Sequence, residues 1–295
     1  MRILISGGSG FLGQALCNTL LARGDDVIVW SRNPQDNARH KSASEWVSTL
    51  DEIAEPVDAV INLTGANLFS GIWTKSRKKT LRASRIEITE TLMNWLGSQE
   101  KPPQVLLSGS AIGYYGDCGE TIVNETASKG DDWAAQLVAD WEASTVTSTS
   151  SLQAMRTVYL RTGLVLGKVG LLQALQPVFK LGLGGSLGKG QFWYSWIHIQ
   201  DWVNATVFLL DTESAQGPYN LSAPNPVRYG QFARALGQAL HRPVWLTPPA
   251  WLLKLLLREQ ASLLMSSTNA MPERLQHAGF QWRHPEIKEA LEALS

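Results

Sequence analysis

The chain has 295 residues, a length that suits one large α/β domain or a domain with a smaller lobe. Lysine plus arginine (26) equals aspartate plus glutamate (26), so the charge balance does not favour a nucleic acid or an anionic membrane as partner. A hydrophobic content of 44% is ordinary for a globular protein with a substantial core.

The first half of the chain alternates short apolar strands with helices, which is the pattern of a parallel sheet covered on both faces. The predicted strands span residues 2–6, 26–30, 57–62, 104–108 and 153–160. The predicted helices between them span residues 11–23, 46–53, 75–97 and 131–147. The sequence therefore predicts an α/β fold with a doubly wound parallel sheet.

After residue 161 this alternation gives way to a glycine-rich region around a predicted helix at 171–181. Helix 200–211 and strand 217–221 are expected to return to the sheet. From residue 224 onward, repeated prolines cut the chain into short helical pieces. One of these pieces, an amphipathic helix near 249–264, either caps a small core or forms a dimer contact.

A glycine-rich turn follows the first predicted strand and opens the first helix. It reads Ser6-Gly7-Gly8-Ser9-Gly10-Phe11-Leu12-Gly13. Glycine permits a tight turn and lets backbone amides approach a pyrophosphate, while the helix N-terminus adds free N–H groups and a positive dipole end. Strand, glycines, helix and second strand occur within about 30 residues, as a Rossmann dinucleotide-binding unit requires. The glycines fit two registers, Gly7-x-x-Gly10-x-x-Gly13 and Gly8-x-Gly10-x-x-Gly13.

The end of the second predicted strand indicates which dinucleotide binds. An acidic residue at this position would bond the ribose 2′-hydroxyl of NAD. The sequence instead places Ser31 and Arg32 after Trp30. The planar guanidinium suits a 2′-phosphate and the serine adds a hydroxyl, so we predict NADP(H) rather than NAD(H). The alternative is a solvent-exposed loop arginine.

Further motifs add a family resemblance. Four short motifs follow the glycine turn: Asn62-Leu63-Thr64-Gly65, Ser108-Gly109-Ser110-Ala111, Leu160-Arg161-Thr162-Gly163-Leu164-Val165-Leu166-Gly167 and Trp196-Ile197-His198-Ile199-Gln200-Asp201. With the turn they resemble an extended short-chain dehydrogenase/reductase of the nucleotide-sugar epimerase kind. Three more motifs are similar to its atypical subgroup called "epimerase family protein" and to the tail of unknown function in that subgroup: Ser110-Ala111-Ile112-Gly113-Tyr114-Tyr115-Gly116-Asp117, Gly182-Leu183-Gly184-Gly185, and Pro272-Glu273-Arg274-Leu275 with Gly279-Phe280. The resemblance covers essentially the whole chain.

The resemblance implies a ligand cleft at the carboxyl ends of the strands, and it favours the Gly7 register of the turn. Gly65 would pass close to the adenosine-side ribose, Ser110 would lie near the nicotinamide, and the backbone of 163–165 would meet the carboxamide. The expected cofactor-binding residues come from the turn, the second strand end and the later motifs: Gly7, Gly10, Phe11, Leu12, Gly13, Ser31, Arg32, Asn62, Leu63, Gly65, Ser108, Gly163, Leu164 and Val165.

The catalytic pair of the resembled family is missing. Its members carry Tyr-x-x-x-Lys on the helix after the serine strand, where the lysine lowers the tyrosine pKa for proton exchange with a substrate hydroxyl. When the helix is aligned on Glu142, the tyrosine position is Ala134 and the lysine position is Val138. Losing a general acid/base costs a rate factor on the order of 10²–10⁴.

A substitute could come from the loop that carries Ser110. Tyr114 and Tyr115 follow this serine by only a few residues. Our hypothesis is that one of the two phenols is the proton donor, with Ser110, Tyr114 and Tyr115 as the candidate catalytic residues. The alternative is that both rings only pack or hydrogen-bond within the loop.

Other chemical candidates are weaker. Six cationic residues crowd one predicted helix: Lys75, Arg77, Lys78, Lys79, Arg82 and Arg85. They either form a solvated face or bind a substrate phosphate, and Arg85 is the candidate for the second role. The aromatic stretch 192–196 either stacks on a substrate ring or packs between lobes. His198 is expected to be a structural histidine rather than a base.

No metal site is expected, because the five histidines are scattered and the two cysteines, Cys17 and Cys118, have neither metal-ligand nor disulfide spacing. The first residues run directly into a strand without a signal peptide. The longest apolar segment, 251–265, is interrupted by charged residues and does not predict a membrane span. We expect a soluble cytoplasmic protein with reduced thiols.

We expect residues 1–165, with return elements near 200–222, to form an NADP(H)-binding Rossmann domain. Residues 166–199 and 223–295 would form a smaller, mainly helical substrate lobe. The leading hypothesis is an NADP(H)-dependent oxidoreductase or epimerase acting on a small carbonyl or hydroxyl compound, with nucleotide sugars among the candidates. The alternative is a non-catalytic or weakly active NADP(H)-binding sensor or scaffold. A homodimer is compatible with either.

Overall fold

The computed structural model describes residues 1–34, 42–68, 70–146, 149–182, 184–185, 187–245 and 265–294. The strands are β1 (Arg2–Ser6), β2 (Asp26–Trp30), β3 (Glu45–Val47), β4 (Ala59–Asn62), β5 (Val105–Ala111), β6 (Ile122–Val123), β7 (Arg156–Thr162), β8 (Leu164–Leu166), β9 (Trp193–Tyr194), β10 (Trp196–His198), β11 (Gly217–Leu221), β12 (Val227–Arg228) and β13 (Asn269–Ala270). The α-helices are α1 (Phe11–Ala22), α2 (Lys75–Ala83), α3 (Ile86–Gly97), α4 (Trp133–Ala143), α5 (Leu171–Lys180), α6 (Ile199–Asp211), α7 (Tyr229–Ala239), α8 (Glu273–His277) and α9 (Ile287–Glu292).

Seven strands form one parallel sheet in the order β11-β7-β5-β4-β1-β2-β3. The chain first builds outward from β1 to β3, and then builds in the opposite direction from β4 to β11. The strand order therefore reverses between β1 and β4, where open α/β sheets form a ligand cleft at the carboxyl ends of their strands. The predicted Rossmann-type α/β fold is confirmed.

Hydrophobic side chains cover both faces of this sheet. On β1, Ile3 and Ile5 face one core, which includes Leu16 of α1 and Trp202 of α6. Leu4 faces the other core with Leu92 and Leu96 of α3. This alternation follows from the two-residue period of a strand. Each fully buried aliphatic side chain contributes about 1.5–3 kcal/mol, so the two cores fix the strands that carry the cleft.

A third hydrophobic cluster lies outside the sheet. It joins Trp196 of β10, Phe232 of α7 and Leu291 of α9. The segment before α9 packs differently, because β13 pairs with β6 and because Leu275 and Phe280 belong to the core of the sheet. Part of the predicted C-terminal lobe is therefore attached to the Rossmann part of the chain.

Some predicted elements differ from the structure. The helix predicted at 46–53 is wrong: β3 forms the edge of the sheet there by pairing with β2, and a 3₁₀ turn, Leu50–Glu52, follows. The helix predicted at 75–97 is divided into α2 and α3 around Ser84, whose hydroxyl accepts a hydrogen bond from the Ala66 amide. The helix predicted near 249–264 lies outside the described residues.

In the part of the chain that the structure describes, no helix is long and apolar enough to cross a membrane. Among the same residues, no group of histidine, cysteine or acidic side chains could hold a metal ion.

Candidate functional site

The glycine turn lies at the carboxyl end of β1, beside the reversal of strand order. Gly7 has a φ of +80°, and a Cβ on it would lie 2.7 Å from the carbonyl carbon of Leu63. A Cβ on Gly13 would lie 2.3 Å from the carbonyl oxygen of Gly7. Both positions require glycine, because any side chain would collide with backbone atoms.

The turn leads into the N-terminus of α1 (Phe11–Ala22). Gly10 is the N-cap and provides no side-chain hydrogen bond, and the first turn of this helix contains no acidic residue. The first N–H groups of the helix and its positive dipole end are therefore available to an anionic ligand. Phe11 packs against Gly167 and Leu12 packs against the core, so both residues would meet a cofactor through their backbone.

The end of β2 carries the residues predicted to select the cofactor. Ser31 is half-buried, and its hydroxyl accepts a hydrogen bond of 3.4 Å from the Asn33 amide. The Arg32 side chain is exposed, and within the described ranges it forms no ion pair. The guanidinium of Arg32 is thus available for a phosphate at the edge of the cleft.

Asn62 is the last residue of β4, beneath the cleft. Its side chain is fully buried, where Oδ1 accepts hydrogen bonds from Ser6 Oγ (2.7 Å) and Thr64 Oγ1 (2.6 Å) and Nδ2 donates to Thr89 Oγ1 (2.8 Å). These bonds consume the polar atoms of the amide and join β1, β4 and α3. The Asn62 side chain therefore holds the neighbouring backbone of Leu63 in place, and its contact with a cofactor stays a prediction.

The remaining predicted cofactor residues, Ser108 and the backbone of 163–165, lie in the sheet and next to it. Ser108 is fully buried, and its hydroxyl has no hydrogen-bond partner among the described residues. The Gly163 amide donates to the Leu221 carbonyl (3.0 Å), and the Leu164 amide donates to the Ser195 carbonyl (2.9 Å). These two amides are bonded within the protein, and the half-buried Val165 follows in β8, so the contact of this backbone with a carboxamide stays a prediction.

Ser110 belongs to a buried polar network. Its hydroxyl donates to Glu142 Oε1 at 2.6 Å. Arg161 holds the same carboxylate with two hydrogen bonds of 2.8 Å, from Nε to Oε1 and from Nη2 to Oε2. Burial by itself lowers the pKa of Arg161, but the Glu142 carboxylate raises it above its usual value. The ion pair thus holds Ser110 in one orientation at the carboxyl end of β5.

The two candidate tyrosines occupy different environments. Tyr115 is buried, its hydroxyl donates to Asn220 Oδ1 (2.8 Å), and it accepts a hydrogen bond from Arg161 Nη1 (3.1 Å). Burial raises the pKa of Tyr115, although Arg161 partly opposes the shift. Tyr114 is half-buried, with its ring centroid 3.5 Å from the guanidinium carbon of Arg161. The geometry leaves Tyr114 as a proton-donor candidate and argues against Tyr115.

The positions of the missing catalytic pair are apolar in the structure. Ala134 packs in a hydrophobic cluster with Trp141 and Leu137 of the same helix. Val138 is buried near Gly113, which lies in the loop that follows Ser110. Neither side chain can exchange a proton or hold a ribose hydroxyl.

Sequence reasoning missed the roles of Glu142 and Arg161. A signal was present, because Arg161 stands in an apolar strand and Glu142 in an apolar helix, and buried charges in such surroundings are usually paired. The pairing itself could not be read from the sequence, since the two residues lie 19 positions apart.

A cavity of about 450 Å³ lies between the loop 188–191 and the segment 228–234, which contains the end of β12 and the first half of α7. Its lining includes Lys189, Arg228 and Arg234. Arg228 is paired with Glu120 and lies over the Trp193 ring at 4.1 Å. All the lining residues belong to the ranges predicted for the substrate lobe.

Comparison with known proteins agrees with this architecture. The NAD dependent epimerase/dehydratase family matches residues 3–222, and a domain of unknown function, DUF1731, matches residues 248–294. The chain is similar to epimerase family protein YfhF of Bacillus subtilis, with 33% identity over 100% of this chain and 98% of that protein.

Solved structures extend the likeness. The human epimerase family protein SDR39U1, crystallised with NADPH, superimposes with a TM-score of 0.91 at 31% identity over 100% of this chain and 99% of that chain. A UDP-glucuronic acid 4-epimerase from Bacillus cereus shares the fold, with a TM-score of 0.73 at 15% identity over 100% of this chain and 98% of that chain. With the family matched over most of its length, the chain belongs to the NAD dependent epimerase/dehydratase family.

Proposed function

We propose that this protein binds NADP(H) at the carboxyl edge of its sheet and acts as an oxidoreductase or epimerase on a small carbonyl or hydroxyl compound. The observation that carries the proposal is the glycine turn. Gly7 and Gly13 cannot accept a Cβ, and the turn opens onto a helix N-terminus without a side-chain cap. This is a cradle for a pyrophosphate.

The choice of NADP(H) is supported by Arg32, whose exposed guanidinium lies at the position where an acidic residue would favour NAD. The human SDR39U1 structure with NADPH supports the same choice. When bound, the cofactor supplies or accepts the hydride. The protein has to orient the substrate and move a proton.

Ser110 and Tyr114 are the residues proposed to exchange a proton with the substrate. The carboxylate of Glu142 accepts the Ser110 hydrogen, so the Ser110 oxygen can accept a hydrogen bond from a substrate hydroxyl. The Arg161 guanidinium lies 3.5 Å from the Tyr114 ring centroid and holds this ring in place beside Ser110. Together they would replace part of the absent Tyr-x-x-x-Lys device.

A sugar nucleotide is the proposed substrate class. The cavity in the predicted substrate lobe carries Lys189 and Arg234, and these cations suit an anionic substrate. Its volume of about 450 Å³ falls within the usual range of small-molecule sites.

A second candidate function is cofactor-dependent binding without efficient catalysis. Ala134 and Val138 favour it, because they place apolar side chains at both positions of the usual acid/base pair. Such a protein would sense NADP(H) and change its affinity for a partner.

One experiment separates the two functions. We expect single-turnover oxidation of bound NADPH with at least one member of a panel of carbonyl compounds and UDP-sugars. Tyr114→Phe and Ser110→Ala should slow that step while leaving NADPH affinity unchanged. No hydride transfer to any member, together with NADPH-dependent capture of a protein partner, would support the sensor function instead. Failure to bind NADPH would overturn both.

A further inference from the structure

Arg85 lies at the break between α2 and α3, and its side chain is only 8% exposed. The guanidinium rests against Gly65: a Cβ on this glycine would lie 2.9 Å from Arg85 Cζ and 3.0 Å from Nη2. Gly65 itself is exposed. Because Gly65 has no side chain, the guanidinium packs directly beneath the exposed backbone of this loop.

Two backbone carbonyls and one aromatic ring surround the Arg85 guanidinium, whose carbon lies 5.3 Å from the Trp141 ring centroid. Nη1 donates to the Leu81 carbonyl and Nη2 to the Ala66 carbonyl, both at 3.1 Å. Across the described ranges, no carboxylate pairs with it. Burial, together with the like charge of Arg77, lowers the pKa of Arg85 to about 10. Because buried charges are normally paired, this one indicates an anion supplied by a ligand.

Arg77 approaches the same loop from its exposed side. Its Nη2 donates to the Asn67 carbonyl and to Ser70 Oγ, each at 2.6 Å. Its Nε is buried and has no hydrogen-bond partner among the described residues. Two arginines without a carboxylate partner in the described structure thus converge on the loop that follows β4.

This loop borders the glycine turn. Gly7 packs on the Leu63 carbonyl, and Gly65 follows Leu63 by two residues, a span of at most about 7 Å. We propose that Arg85, supported by Arg77 and packed beneath the exposed Gly65, binds an oxyanion (a phosphate or carboxylate group) at the edge of the cofactor cleft. The proposal rests on the proposed function for the source of that anion. The source is either the pyrophosphate of NADP(H) or an anionic group of the substrate.

The test compares Arg85→Met and Arg85→Lys with the unchanged protein. Lys79→Met is the matched control, because it removes the same charge from an exposed position on α2. Calorimetry measures the binding of inorganic pyrophosphate to the free protein and to the NADPH-saturated protein, and the binding of NADPH alone. We expect Arg85→Met to weaken the binding of one of these probes by about 10- to 100-fold, the range for hydrogen bonds to a charged group. Lys79→Met should match the unchanged protein.

The probe whose binding weakens in Arg85→Met identifies the source of the anion. If NADPH binding weakens and the NADPH-saturated protein does not bind pyrophosphate, the anion is the cofactor's pyrophosphate. If NADPH affinity is unchanged and pyrophosphate binding to the saturated protein is lost, the anion belongs to the substrate.

Unchanged binding of both probes to folded Arg85→Met would overturn the proposal and leave Arg85 as a brace for the loop. Should this variant fail to fold, Arg85→Lys decides, because a point charge cannot reproduce the guanidinium fork and should bind several-fold more weakly. Unchanged binding by Arg85→Lys would then overturn the proposal. Pyrophosphate binding to the free protein can be scored even if NADPH does not bind, so the two proposals fail separately.

Discussion

Arg161 and Glu142 form a two-pronged ion pair inside the protein, with Nε and Nη2 each 2.8 Å from a different carboxylate oxygen. The side chains are only 5% and 11% exposed. The same pair orients Ser110 and reaches the hydroxyl of Tyr115. One interaction thus connects the end of β5, helix α4 and the tyrosine loop.

Breaking this pair should destabilise the protein. We expect Arg161→Met to lower the free energy of unfolding by about 3–5 kcal/mol, because it leaves a buried carboxylate without its partner. Urea unfolding followed by circular dichroism measures the change. The matched control is Arg82→Met, which breaks the more exposed pair with Asp140 and should cost no more than about 1 kcal/mol. Equal losses in the two variants would contradict the structural role of the buried pair.

Gly13→Ala should abolish tight NADPH binding and destabilise the turn. The new Cβ would lie 2.3 Å from the Gly7 carbonyl oxygen, so the turn and the helix N-terminus must separate. Such overpacking costs about 1–3 kcal/mol. Fluorescence titration with NADPH and a thermal melt measure the two effects. Gly113→Ala is the control, because its first neighbour, Val138 Cγ2, is 4.0 Å from the new atom. A Gly13→Ala protein with normal NADPH affinity would rule out the proposed cradle.

Arg32→Asp should reverse the cofactor preference. Loss of charge-assisted hydrogen bonds to the 2′-phosphate should weaken NADPH binding by about 10- to 100-fold, while NADH binding should be unchanged or improved. Parallel titrations with the two cofactors give the ratio. Lys101→Asp makes the same charge change just before β5, at the amino ends of the strands and so away from the cleft. It should leave the ratio of the two affinities unchanged. Comparable NADPH and NADH affinities in the unchanged protein would already contradict the assignment.

His198 should make the protein less stable in mild acid. Its Nδ1 accepts a hydrogen bond from the Gln200 amide (3.2 Å), so the neutral ring carries its proton on the buried Nε2. Burial, with the nearby charges of His284 and Arg283 adding to it, lowers the pKa of His198 from 6.5 to about 4. The unfolded chain therefore binds a proton before the folded protein does as the pH falls from 6.5.

Because the pKa of His198 is lower in the folded protein than in the unfolded chain, acid should destabilise the fold. Stability from the neutral His198 is fully present above pH 6.5 and is lost as the pH falls toward about 4, by up to about 3 kcal/mol. Urea unfolding at pH 7.5 and pH 5 measures the loss. His198→Asn retains a favourable N-cap acceptor without titrating, so its stability should change less over this interval. An identical pH dependence in the variant would exclude His198 as the source.

The local features of the fold could be predicted from the sequence. β1, β2 and β11 have the predicted bounds, and the glycine turn lies where strand, turn and helix succeed one another. Each of these signals is contained in a short contiguous segment, because glycine spacing and apolar periodicity act over a few residues. The helix prediction for 46–53 was wrong because the pairing of β3 with β2 decided the structure of this segment. Such pairing is not a local property of the sequence.

The sequence by itself determined the Rossmann framework, the glycine cradle, the position of Arg32 after β2 and the absence of the usual catalytic pair at Ala134 and Val138. Only the tertiary structure decided how the remaining polar groups are used. It buried Asn62 beneath the cleft and placed Arg85 under the backbone of Gly65. The contacts of these two residues join segments 27 and 20 positions apart. They depend on how the helices dock onto the sheet, and that docking is set by the cores on its two faces rather than by any local pattern.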